Sequence, residues 1–326
     1  VRVLITGSST PLGVALIEAL VAAPDVEVVL AIGREADAPV PPTEKLVYQT
    51  LELERPRVMH DLLWGPAHDL AIDTVVHGMH HRRSGDHGRR VHLQNVGATR
   101  ELVLGCRDHP TIRRLVYRSF AEVYALRHTT SDLIDEDEPL DFDPTAEQWT
   151  RDRVEADLTV CAQLGRRLSI AVLRFAEIMA PEMGSQLWDY LQSRVCLRPM
   201  GFDPMINVLA ICDAVTALLL ALRSEATGVF NIPGRDTLPL SRVIFESSRA
   251  DVPVPGPLIA PLYRLRRRIA GFDFRYEMNL RRFHFGGVLD GSRARDALGY
   301  TPRMPVHWPT PWWKTLFERL DPRNAS

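Results

Sequence analysis

The chain has 326 residues, 45% hydrophobic and 25% charged, globular averages that exclude disordered, collagen-like and disulfide-rich classes. Its 39 basic and 41 acidic residues nearly cancel, so composition gives no electrostatic case for nucleic-acid binding. Cys106, Cys161, Cys196 and Cys212 are widely spaced in no metal pattern, and read as buried thiols in a reducing compartment. Arg2 to Ile5 reads as a buried strand, and Gly13 to Ala23 as a helix with Val14, Ile17, Leu20 and Val21 at helical spacing. Further strands are expected at Val26 to Ile32, Lys45 to Leu51, Thr74 to His77, Leu115 to Tyr117 and Ser169 to Arg174. Helices are expected near Ala98 to Arg107 and Trp149 to Leu164. This alternation predicts an α/β fold with a Rossmann-type doubly wound parallel sheet over residues 1–180. After Pro181 prolines and irregular stretches increase, which predicts a smaller C-terminal α+β lobe over 181–326, with a strand returning to the first sheet near 228–232.

The first strand runs into Thr6-Gly7-Ser8-Ser9-Thr10-Pro11-Leu12-Gly13, followed by a helix, the setting a phosphate-cradling loop requires. Gly7 suits the tight turn and Gly13 close helix–strand packing. Thr10 stands where backbone approach to a pyrophosphate favours glycine, yet Thr10-Pro11 is a sound helix start that aims the helix N-terminus at an anion. An ordinary strand–helix turn is the plainer alternative.

With these residues in place the chain resembles the NAD-dependent epimerase/dehydratase family of extended short-chain dehydrogenases/reductases, which includes UDP-glucose 4-epimerase. The family's TGxxGxxG stands here as TGSSTPLG, and DTVVH (Asp73 to His77), NVGAT (Asn95 to Thr99), VYRSFAEVYA (Val116 to Ala125), VLRF (Val172 to Phe175), the Asp213 segment, GVFNI (from Gly228) and SRARDALGYTP (Ser292 to Pro302) follow in family order. The resemblance implies a nicotinamide dinucleotide held by Gly7, Thr10, Pro11, Leu12 and Gly13, with His77 and Arg153 near its nicotinamide end. The second strand ends in Gly33-Arg34, without the expected carboxylate and with a guanidinium available for a 2′-phosphate, so NADP(H) is expected over NAD(H).

Family chemistry uses a tyrosine as acid/base, a lysine four residues later, a serine or threonine and an asparagine. The aligned positions hold Phe120 for the serine, with Ser119 one place early, Trp149 for the tyrosine and Arg153 for the lysine. Asn95 alone is retained. The tools cannot have shifted nearby, since the two lysines are Lys45 and Lys314 and no tyrosine occurs from Ala125 to Asp189. Tryptophan offers no exchangeable proton near neutral pH, and arginine does not replace lysine in such a geometry.

The leading expectation is therefore a cofactor-binding pseudoenzyme acting as a sensor, regulatory subunit or partner. The alternatives are an active nucleotide-sugar epimerase or reductase with a rebuilt site, and a scaffold without cofactor. For the rebuilt site, the loop His77-Gly78-Met79-His80-His81-Arg82-Arg83 offers His80 or His81 as a replacement acid/base. No metal site is expected there, nor in the acidic run from Asp132 to Asp143, which reads as a solvated loop. The stretch from Leu258 to Ile269, with Arg264, Arg266, Arg267 and Arg268, reads as a lobe helix with its arginines in water, the alternative being a surface for an anionic membrane or a partner protein, and the family's nucleotide diphosphates give some of these arginines an anionic ligand to serve. Membrane association is not expected. The absence of targeting patterns suggests a cytoplasmic protein, and the resemblance implies a homodimer through the helices near Ala98 and Trp149.

Overall fold

The computed structural model describes residues 1–128, 133–270 and 273–308; Asp132, Lys314 and the last part of the expected lobe lie outside them. The first half contains β1 (Arg2–Thr6), α1 (Pro11–Ala22), β2 (Val28–Gly33), β3 (Leu46–Thr50), α2 (Pro56–Leu62), β4 (Thr74–His77), α3 (Arg89–His92), α4 (Ala98–Asp108) and β5 (Arg114–Phe120). Next come β6 (Leu133–Ile134), α5 (Gln148–Cys161), β7 (Ser169–Phe175), β8 (Glu177–Ile178), α6 (Gln186–Leu191), β9 (Val195–Pro199), β10 (Met205–Leu209), α7 (Ile211–Arg223) and β11 (Gly228–Ile232). The remainder holds β12 (Asp236–Pro239), α8 (Leu240–Glu246), β13 (Ala250–Val254), α9 (Gly256–Ala270), α10 (Tyr276–Phe285), β14 (Val288–Leu289) and α11 (Ser292–Leu298).

Seven strands form one parallel sheet in the order β3-β2-β1-β4-β5-β7-β11. Continuous apolar runs such as Val3-Leu4-Ile5 suit strands covered on both faces, and all three residues are buried. On one face Leu16, Ile17 and Leu20 of α1 pack with Ala214, Leu218 and Ala221 of α7. On the other, Met59 and Leu62 of α2, Leu102 and Val103 of α4 and Val160 of α5 cover Leu4, Val75 and Leu115. The strand order reverses between β1 and β4, where a doubly wound sheet opens a crevice at its carboxyl edge.

Residues 228–232 do return to the sheet, as its edge strand beside β7. With α7 they make the large layer from sequence beyond residue 180, so the chain crosses to the smaller lobe and back. That lobe has its own core, built from Leu187, Tyr190, Cys196, Ile206, Ile259, Tyr263 and Phe283. The apolar stretch from Ile206 to Leu222 divides into β10 and α7. Its Asp213 is buried and accepts the N–H groups of Arg303 and Met304 at 2.8 Å each. Among the described residues, no helix is long and apolar enough to cross a membrane.

Candidate functional site

The glycine turn forms one wall of a crevice of about 720 Å³ at the carboxyl edge of the sheet. Gly7 adopts φ +79°, and a Cβ there would lie 2.8 Å from the carbonyl carbon of Gly78. A Cβ on Gly13 would lie 2.3 Å from the Gly7 oxygen, so α1 packs onto the turn only because both positions lack side chains. The Thr10 hydroxyl turns inward: it donates to the Gly7 carbonyl at 2.9 Å and accepts from the Gly13 N–H at 3.0 Å. It therefore caps α1 rather than crowding an anion, although it takes up one helix N–H, and Pro11 has none to give.

The end of β2 differs from the sequence expectation. Arg34 Nη2 is held by both carboxylate oxygens of Glu54, at 3.0 and 2.9 Å, and by Gln94 Oε1 at 3.1 Å. A carboxylate is present after all, one residue on. Glu35 lines the crevice, accepting from the Ser9 hydroxyl and, at 3.1 Å, from the Arg34 N–H. Burial pushes the Glu35 carboxyl upward, but the Ser9 hydroxyl and the backbone donors outweigh it and hold the group below the usual carboxylate range.

Asn95, Phe120, Trp149, Arg153, His80 and His81 converge on one niche beside the crevice. That niche is closed, with about 10 Å³ of open space, roughly one water-sized sphere. The Arg153 guanidinium lies 3.8 Å from the Phe120 ring centroid and 4.0 Å from that of Trp149. It also pairs with Glu122 at 3.1 Å. Residues 149 and 153 do share one helix face, as their spacing requires, but they use it to clamp a cation between rings. Asn95 is committed too: Oδ1 accepts the His81 N–H at 2.7 Å and Nδ2 donates to Asp152 at 3.2 Å. Ser119 points into the core, where its hydroxyl donates to Asp157.

The histidines separate by environment. His77 does not face the crevice; it is fully buried, 2.6 Å from the Thr6 hydroxyl and 2.9 Å from that of Thr99. Burial depresses its pKa to about 3, so it is a neutral core residue and the expectation of a cofactor contact is corrected. His80 lies 2.9 Å from Arg118 Nη1 and edge-on to Phe120. Burial, then the Arg118 and Arg153 charges, push its pKa well below the ordinary value, which removes it as an acid near neutral pH. His81 is different. Its Nε2 lies 2.7 Å from Asp86 Oδ2, and both residues line the crevice.

The facing wall comes from the smaller lobe: Ala180, Glu182, Gly184, Ser185, Trp188, Asp189 and Asp273. Burial and the neighbouring Asp273 raise Asp189 to about 6. The lobe arginines expected to serve an anion are elsewhere: Arg264 pairs with Glu277, Arg266 donates to the Val195 carbonyl, and neither these nor Arg267 and Arg268 line the crevice. Pro11 and Leu12 sit at the start of α1 without lining crevice or niche. Sequence reasoning missed Glu35, one residue past the position it inspected. It also missed the His81–Asp86 pair, whose loop spacing carries no periodic signal, and Asp189, which arrives from a distant helix. Among the described residues, no group of three or more His, Cys, Asp or Glu is placed to hold a metal ion.

No protein-family profile matches the chain. The uncharacterized protein Rv0501 of Mycobacterium tuberculosis is 30% identical over 311 residues, 92% of this chain and 80% of that protein. The 3-diazoavenalumate denitrifying reductase of a Streptomyces species is 28% identical over 202 residues, 59% of this chain and 62% of the reductase. Among solved structures, MoeE5 in complex with UDP-glucuronic acid and NAD superposes with a TM-score of 0.67 at 18% identity, covering 94% of this chain and 95% of MoeE5. The UDP-glucuronic acid 4-epimerase of Bacillus cereus, with UDP-glucuronic acid and NAD, gives 0.69 at 15% identity, covering 94% of this chain and 95% of the epimerase. The chain belongs to the family of the mycobacterial protein Rv0501 and is built on the Rossmann-type fold of the extended short-chain dehydrogenases/reductases.

Proposed function

We propose that the chain binds NAD(H) in the crevice and does not run tyrosine–lysine redox catalysis, acting instead as a sensor, regulatory subunit or partner of another enzyme. The observation that carries this reading is Arg153, stacked between Phe120 and Trp149 where a reactive tyrosine and lysine would have to meet. The residues present fit a dinucleotide: the Gly7 turn, the start of α1, and a carboxylate at Glu35 to accept ribose hydroxyls. Glu35 also opposes a 2′-phosphate, and Arg34 is already engaged by Glu54, so we favour NAD(H) over the NADP(H) suggested by Gly33-Arg34. NAD in MoeE5 and in the Bacillus cereus epimerase points the same way. A bound nicotinamide would supply hydride exchange; the tyrosine that lines the niche, Tyr117, is buried, and burial raises its pKa far above the ordinary value, so it does not ionise to serve as acid/base near neutral pH. The homodimer would use α4 and α5, whose outer faces carry the Arg100–Glu155 pair and the half-exposed Leu158.

A second reading, an active epimerase or reductase on a nucleotide-sugar-like substrate, is favoured by the His81–Asp86 pair, an oriented imidazole facing the crevice. One experiment separates them. Wild-type protein supplied with NAD should neither epimerise UDP-sugars nor form NADH from them, and His81→Ala should change nothing. Phe120→Ser, Trp149→Tyr and Arg153→Lys together should open the niche and bring measurable reduction of NAD to NADH as a sugar hydroxyl is oxidised to the ketone, or epimerisation where the hydride is returned. Wild-type turnover that disappears in His81→Ala would establish the second reading.

A further inference from the structure

Helix α9 has two apolar faces, and the fold uses one. On the inner face Ile259 and Tyr263 are buried in the core of the smaller lobe, and Arg266 donates to the Val195 carbonyl at 2.6 Å. On the outer face Leu258, Leu262, Leu265 and Ile269 follow one another at spacings of four, three and four, a single stripe along the helix. They are 54%, 39%, 54% and 77% exposed. Arg264 and Arg268 run along one edge of this stripe, and the helix contains no acidic residue. Arg264 leans on Glu277 of α10, whereas Arg267 and Arg268 pair with no acid among the described residues.

We propose that this outer face is an interfacial surface that lays α9 on an anionic lipid bilayer. Four aliphatic side chains in a row are costly to leave in water, and scattered single exposures would need no such explanation. At fifteen residues, and with four arginines, the helix is too short and too polar to span a bilayer. It has the composition of a helix lying in the headgroup plane, its aliphatic stripe in the acyl boundary and its guanidinium groups at lipid phosphates. A second copy of the chain suits the surface less well. Apposed α9 stripes would bring Arg264 and Arg268 of one copy toward those of the other, and the helix supplies no acid to separate them.

The test is flotation of the full chain with vesicles of phosphatidylcholine containing one-third phosphatidylglycerol, against vesicles of phosphatidylcholine alone. The expected result is binding to the anionic vesicles only, weakened by high salt. Leu265→Glu with Ile269→Glu should abolish it, and Arg264→Gln with Arg268→Gln should weaken it about fivefold for each charge removed. Thermal melting shows whether each variant folds; should the glutamate variant unfold, the surface-charge variant and the salt dependence still decide. Absence of vesicle binding overturns the proposal, as does binding that neither variant alters. A dimer that dissociates in Leu265→Glu/Ile269→Glu, without vesicle binding by the wild type, would assign the face to a second copy instead.

Discussion

An arginine at 153 stacks where a lysine would reach out. Its guanidinium lies against both the Phe120 and Trp149 rings, 3.8 and 4.0 Å from their centroids, and pairs with Glu122. The three substitutions form one packing unit, so single reversions should fail where the triple reversion opens the niche. Sequence alone showed that tyrosine and lysine were missing; that their replacements fill the space could be seen only with the two rings and the guanidinium placed together. At the opposite end of the crevice one residue decides cofactor choice. Glu35→Ala should weaken NADH binding about tenfold through loss of a charge-assisted acceptor, and should improve NADPH binding by removing a like charge. Fluorescence titration of both nucleotides measures the change, and an unaltered NADH affinity would remove Glu35 from the site.

At the scale of single elements, β1, β4 and α4 are tied by His77, bonded to Thr6 and Thr99 in a fully buried position. Its pKa falls from 6.5 in the unfolded chain to about 3 in the fold, because burial favours the neutral ring. The unfolded chain therefore takes up the proton first as pH falls. The stabilisation is complete above pH 6.5 and lost progressively toward pH 3, on the order of 2 kcal/mol between pH 7 and pH 5. Asp189, raised to about 6, acts oppositely, since the folded state binds its proton first. Comparing His77→Gln with wild type by urea unfolding at the two pH values isolates the histidine: the variant should lose less stability on acidification. The helix start of α1 was legible from Thr10-Pro11, because capping chemistry is local. Thr10→Gly should cost a few tenths of a kcal/mol in stability, measurable as a small drop in melting temperature, while tightening NADH binding by freeing the Gly13 N–H.

Across the whole molecule, the loop after β4 joins the two lobes. Ser84 donates to the Asp273 carbonyl at 3.1 Å and receives a bond from Gln186 Nε2 at 3.0 Å, and Arg82 approaches Glu182 at 3.5 Å. These contacts fix the walls of the crevice relative to one another. The sheet could be read from the sequence nearly strand by strand, including the return at 228–232, because a buried parallel strand must be an uninterrupted apolar run. The smaller lobe could not, since its sheets are short and its strand pairs come from distant segments, as β9 with β13 and β6 with β14 show. For the same reason the acidic wall with Trp188 and Asp189 was invisible, although it decides what can sit opposite the cofactor.

The most direct measurement is calorimetric titration of purified, ligand-free protein with NADH and NADPH, repeated on Gly7→Val. A valine side chain at that position would meet the Gly78 backbone and obstruct the turn. NADH should bind in the micromolar range and NADPH more weakly, and a folded Gly7→Val protein should bind neither. No heat with either nucleotide, or binding that Gly7→Val leaves unchanged, would contradict a cofactor-holding crevice and leave the fold as a scaffold.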